Sequence, residues 1–497
     1  MLPEFSRTDW TPALAGHLLN RAGFGASPPE IREFAALSPG EAVDRLVEFS
    51  AIPESIDPPA WATATDAAAR PNRRELRALS EEERQKRQQE ERQRQQQRLF
   101  ELRAWWLRRM SATRRPLQEK LALFWHGHFA TGFEKVRFAY PLYLQNQTFR
   151  RLAAGNFEAL VVAVAQDPAM LLYLDNAESK PAQPNENFAR ELMELFTMGE
   201  GTYSEADIKN AARAFCGWTL HPDEFRFVDL PSRKDRGGKN ILGQTGNLGG
   251  EDAIRIILQQ RAAAPFICRK LWSFFAYDDP EPELVERLAA EFTKHRLELK
   301  PLLRSMFRSR AFYSRRAVRT QIKSPTQWLI TAARTMQADL PPDESAVGMV
   351  ALLGQELFAP PNVKGWPGGY TWITADTLLK RYNLSGFLVK GGPAMLAGKP
   401  AGAIAGSLAG PMRGRVLNSL TAMKPIADPT AAIPEEERAD PDRLIRYLEW
   451  MLYQAPLNEA ERSAVKAHLV RTNGPLSDAQ TRDLLHVMMS TPHYQLT

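Results

Sequence analysis

Four polar residues in one short segment have the types and spacing that proton-transfer chemistry needs. Asn187, Arg190, Glu191 and Glu194 stand at i, i+3, i+4 and i+7, so a helix would put an amide, a guanidinium and two carboxylates on one face. Phe188, Leu192, Leu195 and Phe196 repeat the spacing on the other side. A carboxylate beside a cation can give or take a proton, and two carboxylates one turn apart can meet a divalent metal. Turned to water, the same residues form a solvated face with Arg190 in intrahelical ion pairs. A four-helix carboxylate metal site would need E-x-x-H, and none lies nearby. Acid/base chemistry is therefore the stronger of the two catalytic readings.

A second group lies in EKLALFWHGHFATG, residues 119–132. On a strand, His126 and His128 would share a side, as H-x-H metal pairs do. Here Leu121, Phe124, Trp125 and His128 keep helical spacing, which puts His128 on an apolar face and His126 roughly opposite. His128 then reads as a satisfied core residue, or as a base or metal ligand. A third reading makes it an axial haem ligand. Gly127 could end the helix and restore a shared direction. A third group, PPNVKGWPGGYTWI at 360–373, sets Lys364, Trp366, Tyr370 and Trp372 on a loop shaped by proline and glycine. Such aromatics either stack on a ligand or anchor the loop to the core.

The elements that must hold these groups are predicted to be helices. Ser27 with Glu30 and Ser38 with Glu41 each pair an N-cap serine with a first-turn proline and a glutamate three residues on. Ser80 with Glu83, Ser204 with Asp207, Asn458 with Glu461 and Ser477 with Gln480 repeat the signal, and Ser324-Pro325 opens a further helix. Strand patterns are scarce; the best is EFRFVDL at 224–230. The expected fold is all-α, a multi-helix array with one small β-ribbon or hairpin near 225–245. The glycine-dense 237–250 stretch lacks the P-loop and dinucleotide signatures and reads as that flexible hairpin.

The chain divides by composition. Residues 1–79 read as an N-terminal helical region and 80–112 as a projecting charged helix, since 81–98 holds no apolar side chain. After Leu99 the pattern turns amphipathic through Leu102, Trp105, Trp106 and Met110. Residues 113–385 form the helical core with the polar groups, 386–440 a Gly/Ala/Pro-rich linker, and 441–497 a C-terminal helical unit. LLHVMMSTPHY at 484–494 echoes LLRSMFRSRAF at 302–312, as if one packing solution were used twice.

Bulk composition narrows the function. At 497 residues the chain can bury a large core. Its 64 basic and 58 acidic residues leave a scattered excess of +6, too diffuse for a dedicated nucleic-acid binder. Cys216 and Cys268 lack metal-type neighbours and read as small buried residues. The N-terminus shows no basic region followed by an apolar one, and no apolar run reaches membrane-spanning length, which predicts a cytoplasmic chain without membrane insertion. Nucleophile-elbow, kinase and Rossmann signatures are missing.

Five ordered motifs carry a family likeness: HLLNRAGFG (17–25), RRPLQEKLALFWHGHFATG (114–132), MLLYLDN (170–176), NENFARELMELFTMGEGTYSEADIKNAARAFCGW (185–218) and PPNVKGWPGGYTWI. With them the chain resembles the bacterial family of domain of unknown function 1800. That resemblance implies a largely helical protein whose relatives are often exported, to the periplasm or beyond. It also implies a sulfatase-like partner, because genes of the two families often neighbour one another. His126, His128, Asn187, Arg190, Glu191, Lys364 and Trp366 match the family signature. Lys234-Asp235 departs from it, since the family more usually shows His-Asp there.

The leading expectation is a hydrolase-type enzyme acting on a polar or anionic, glycan-derived or sulfated, substrate. His126 or His128 would be the base or metal ligand, Glu191 its partner, and Arg190 or Lys364 the anion holder. Asn187, Glu194, Trp366 and Trp372 would complete substrate binding, with a divalent metal as the one cofactor considered. The alternative is a non-enzymatic helical scaffold or accessory partner of the sulfatase-like protein.

Overall fold

The computed structural model describes residues 2–62, 78–221, 224–396, 413–426, 428, 432–468 and 476–497. The architecture is the expected helical array. The helices that shape the site are α1 (Pro12–Ala22), α2 (Pro28–Ala36), α3 (Pro39–Val47), α4 (Glu81–Ala112), α5 (Pro116–His128), α6 (Ala139–Arg151), α7 (Glu186–Glu191) and α8 (Glu205–Ala214). They are followed by α9 (Ala263–Phe275), α10 (Leu299–Arg308), α11 (Pro325–Thr335), α12 (Asp343–Leu352), α13 (Ala375–Lys390) and α14 (Asp478–Met489). Their starts follow the caps in the sequence. Ser27, Ser38, Ser80, Ser204 and Ser477 each accept from the N3 backbone N–H while the N3 side chain accepts from the cap's own N–H. Asn458 and Glu461 make the same reciprocal pair. Each such cap satisfies donors that a bare helix end would leave orphaned, worth about 1 kcal/mol.

The expected single ribbon is two. β1 (Trp218–Leu220) pairs antiparallel with β2 (Phe227–Asp229), Trp218 opposite Asp229, so the strand read at 224–230 runs back along the chain segment before it. β3 (Lys239–Ile241) and β4 (Gln244–Gly246) close a separate hairpin through Leu242 and Gly243. Both turn residues have positive φ, which suits a tight two-residue hairpin.

Helix α4 changes character along its length. Its first half is solvated, whereas Leu99, Leu102, Trp105, Trp106 and Met110 are buried. Helix α5 is covered on every side from Leu117 to His128, Gly127 excepted, and so forms the centre of the array. At its heart Glu119, fully buried, accepts from Arg109 Nε at 2.6 Å, from Arg150 Nη2 at 2.9 Å and from the Trp106 indole at 2.9 Å.

The linker boundary placed at 385/386 falls inside α13, where Gly386 to Val389 are buried. Gly386 serves close packing, not flexibility: a Cβ there would come within 2.3 Å of Met395 Sδ. Residues 397–412 of that stretch lie outside the described residues. The echoed segments at 302–312 and 484–494 bury matching side chains, Leu302, Leu303, Met306 and Phe312 against Leu484, Leu485, Met488 and Tyr494. Helix α14 packs along α13, and residues 495–497 pair with the segment before α11. Lys323 N–H donates to Gln495 O, and Thr497 N–H to Gln321 O, both at 2.8 Å.

No helix among the described residues is long and apolar enough to cross a membrane.

Candidate functional site

The HGH triplet at the end of α5 is a junction in which each residue grips a different backbone segment. The helix runs through His128, so the two imidazoles diverge. His126 Nε2 accepts the Phe358 N–H at 3.0 Å, and its ring lies between Trp106, Phe358 and Trp366. Burial, with Arg103 adding, lowers its pKa to about 3, so it is neutral. Arg103 itself donates to Leu357 O at 2.8 Å and pairs with Glu356 at 2.7 Å, which fixes the same segment from α4.

Between the histidines, Gly127 presents its carbonyl to Gly365. A Cβ on Gly365 would stand 2.1 Å from that oxygen, and the residue has φ of +78°. Only glycine meets both demands. Gly365→Ala should therefore lift the 360–373 loop off α5, and the affinity for any anion held by Lys364 should fall at least about tenfold. Calorimetric titration with citrate measures this.

His128 Nε2 donates to Phe196 O at 3.0 Å, leaving Nδ1 as a buried lone pair without a partner. Phe196 is the penultimate residue of a π-helical turn, Leu192–Thr197, that follows α7, and the last carbonyls of a helix have no partner within it. Such a turn shifts the backbone ladder by one residue and is common at functional sites. Lys270 of α9 reaches the neighbouring Leu195 O at 3.5 Å. Burial pushes the Lys270 amine down to about 8 and holds the His128 imidazole well below its ordinary value, with Lys270 adding to the latter.

Together α5, α9, the segment before α11 and the loop enclose a cavity of about 370 Å³. It is lined by His128, Lys364, Trp366 and Trp372 from the expected set, and by Lys120, Arg269, Lys270 and Asp278, which sequence reading missed. Among the described residues Lys120, Arg269, Lys270 and Lys364 make no ion pair, although Asp278 lines the same cavity and Glu191 is near enough to Lys364 to feel its charge. Lys120 is fully enclosed, and burial, with Arg21 adding, holds its amine well below the lysine range.

The other expected residues stand outside this cavity. Arg190 makes a bidentate pair with Glu205 of α8, at 2.8 and 2.7 Å, on the surface. Glu194 accepts from Tyr203 Oη at 3.4 Å, and Asn187 is exposed. Glu191 is half-buried; burial and then Glu194 raise its pKa, and Lys364 of the cavity rim opposes them. The 187–194 face is thus largely the solvated one, with Glu191 as its link to the loop. Among the described residues no three His, Cys, Asp or Glu side chains come together as a metal site, and both glutamates neighbour Arg190 instead of a histidine. His128 Nε2, the atom a haem iron would use, is committed to Phe196 O.

A helical array with a cationic cavity beside a π-turn is the class that fold and site define. The family described as protein of unknown function (DUF1800) matches residues 17–496, and the chain belongs to it. No curated protein and no solved structure matches the chain.

Proposed function

We propose that the cavity binds a compact anionic organic molecule and that the protein is an enzyme acting on it, with hydrolysis of a polar substrate as the reaction. One observation carries this: Arg269, Lys270 and Lys364, none with an ion-pair partner among the described residues, converge with Lys120 on a single cavity walled by Trp366 and Trp372, which Asp278 also lines. Unpaired cations in a partly desolvated pocket bind anions far better than the same charges on a surface. Lys364 and Arg269 hold the charge, and the two indoles supply flat apolar walls. Proton transfer falls to Lys270, whose pKa of about 8 suits neutral pH better than the strongly lowered His128. His128 positions the π-turn that Lys270 also touches.

Calorimetry with citrate, sulfate and an aryl sulfate tests the reading. Saturable binding that Lys364→Gln and Lys270→Gln each weaken about tenfold is the expected result. Heats no larger than those of matched ionic strength would overturn it.

The accessory-protein reading has its own support in Tyr370, 89% exposed on the same loop, and the exposed Leu378, Leu379 and Tyr382 of α13. Large apolar side chains grouped on a surface mark contact sites. If a sulfatase-like protein binds there, Tyr370→Ala and Leu379→Ala abolish that binding and leave anion titrations unchanged.

A further inference from the structure

Lysines buried in this fold for structural reasons hand their protons to acceptors. Lys323 donates to Tyr494 O at 2.7 Å, and Lys239 to the carbonyls of Asp235 and Gly237 at 2.7 and 3.0 Å. Lys120 does neither. It is 3% exposed and lines the cavity, yet its Nζ has no hydrogen-bond acceptor and no ion pair among the described residues. Its amine lies 5.1 Å from the Phe24 ring centroid and 5.5 Å from that of Phe274. The charge it feels is of like sign, the Arg21 guanidinium. Burial and the like charge of Arg21 disfavour the ammonium, the two ring faces offset them only in part, and the free amine that results carries a nucleophilic nitrogen lone pair. Phe274 lies one helical turn after Lys270 on α9, so both lysines reach the cavity from neighbouring positions.

We propose that Lys120 is a covalent residue: its amine condenses with a carbonyl group of the bound anion, so that the cavity takes a compact oxo acid. The proposal rests on the anion-pocket reading above and narrows its substrate class. In the step the Lys120 nitrogen bonds to the carbonyl carbon, and both amine protons end on the carbonyl oxygen, which departs as water. A C=N bond replaces C=O, with no change of oxidation state. Addition of water reverses the step and frees the lysine. The carboxylate of the oxo acid is held by Lys364 and Arg269 during condensation, and Lys270 moves the protons.

Glyoxylate is the probe, with sodium cyanoborohydride to reduce the imine to a stable secondary amine. The full chain is treated near neutral pH and the modified lysines are located by peptide mass mapping. Carboxymethylation of Lys120 at least tenfold ahead of the exposed Lys86 and Lys209, suppressed by excess citrate, is the expected result. Lys120→Arg and Lys120→Met should lose the fast modification. Modification of Lys86 and Lys209 with Lys120 untouched overturns the imine; if citrate still binds saturably, the anion pocket stands without it. Fast modification of Lys120 that citrate does not suppress keeps the reactive amine and overturns the anion pocket. Failure of both overturns both.

Discussion

Glu119→Gln should destabilise the protein by about 3–5 kcal/mol, because it leaves buried guanidinium charge without its counter-charge. The glutamine keeps the size of the side chain but only one carbonyl oxygen, where the carboxylate serves Arg109, Arg150 and Trp106. Arg109 retains Glu54 at 2.9 Å, and Arg150 retains Asn146 Oδ1 at 2.8 Å, so Arg150 loses its only carboxylate among the described residues. Burial raises the Glu119 pKa, and the guanidiniums of Arg150 and Arg109 more than offset it, so the folded value is lowered. The stability it contributes is therefore fully present above the unfolded pKa and is lost as pH falls through the folded one. Urea unfolding at neutral pH measures the change. Arg190→Gln, which breaks a solvated pair, is the control and should alter stability by less than about 1 kcal/mol. Equal stability of wild type and Glu119→Gln would show that the cluster does not clamp the core. The loss would reach the site as well, since the Trp106 ring that donates to Glu119 packs 5.2 Å from the His126 ring.

Acid should undo the fold from the histidines upward. His17 and His126, each lowered to about 3, and His128, lowered well below its ordinary value, stay neutral when folded, chiefly through burial. Unfolding lets each take up a proton below about pH 6.5, so their contribution is present at neutral pH and lost as pH falls. Each gives a slope of up to about 1.4 kcal/mol per pH unit. Asp167 works the other way. Burial raises it to about 7, so its folded form binds a proton first and acidification favours folding until the unfolded pKa is reached. Three histidines less one aspartate contribute about 3 kcal/mol per pH unit near pH 5, and Lys120, lowered by burial in the fold, adds with the same sign wherever it is held as the free amine. Urea midpoints at several pH values between 7.5 and 5 give that slope, and His128→Gln should reduce it by about one proton. A flat profile would mean that these imidazoles reach water.

The helix caps were legible because they are local: a serine and an acid three residues apart need only each other. The cavity was not, and Lys120 shows why. In the sequence it follows Glu119 and looks like half of a solvated pair, but the partners of Glu119 are Arg109 and Arg150, and Lys120 turns to Phe24 and Phe274. A helix covered on all sides has no polar face to betray which of its charges are buried. The 187–194 stripe left its direction open for a different reason. Helical spacing puts its four residues on one side, but the π-turn begins at Leu192, and Arg190 finds a partner on α8 instead of within its own helix. The loop was half legible. Its glycines and tryptophans announced a shaped surface, whereas the closeness of Gly365 to Gly127 depends on residues more than two hundred positions apart.

The pairing of residues 495–497 with the segment at 321–323 sets an order in time. Gln321 and Ile322 are part of the cavity wall, and their outer backbone edge is completed by Gln495, Leu496 and Thr497. Lys120 leaves the ribosome some 375 residues before Gln495. At about 5–20 residues per second that gap is roughly 20–75 s. Through that interval the wall contributed by Gln321 and Ile322 lacks its outer backbone partners, so the cavity can take its finished form only after residues 495–497 have left the ribosome.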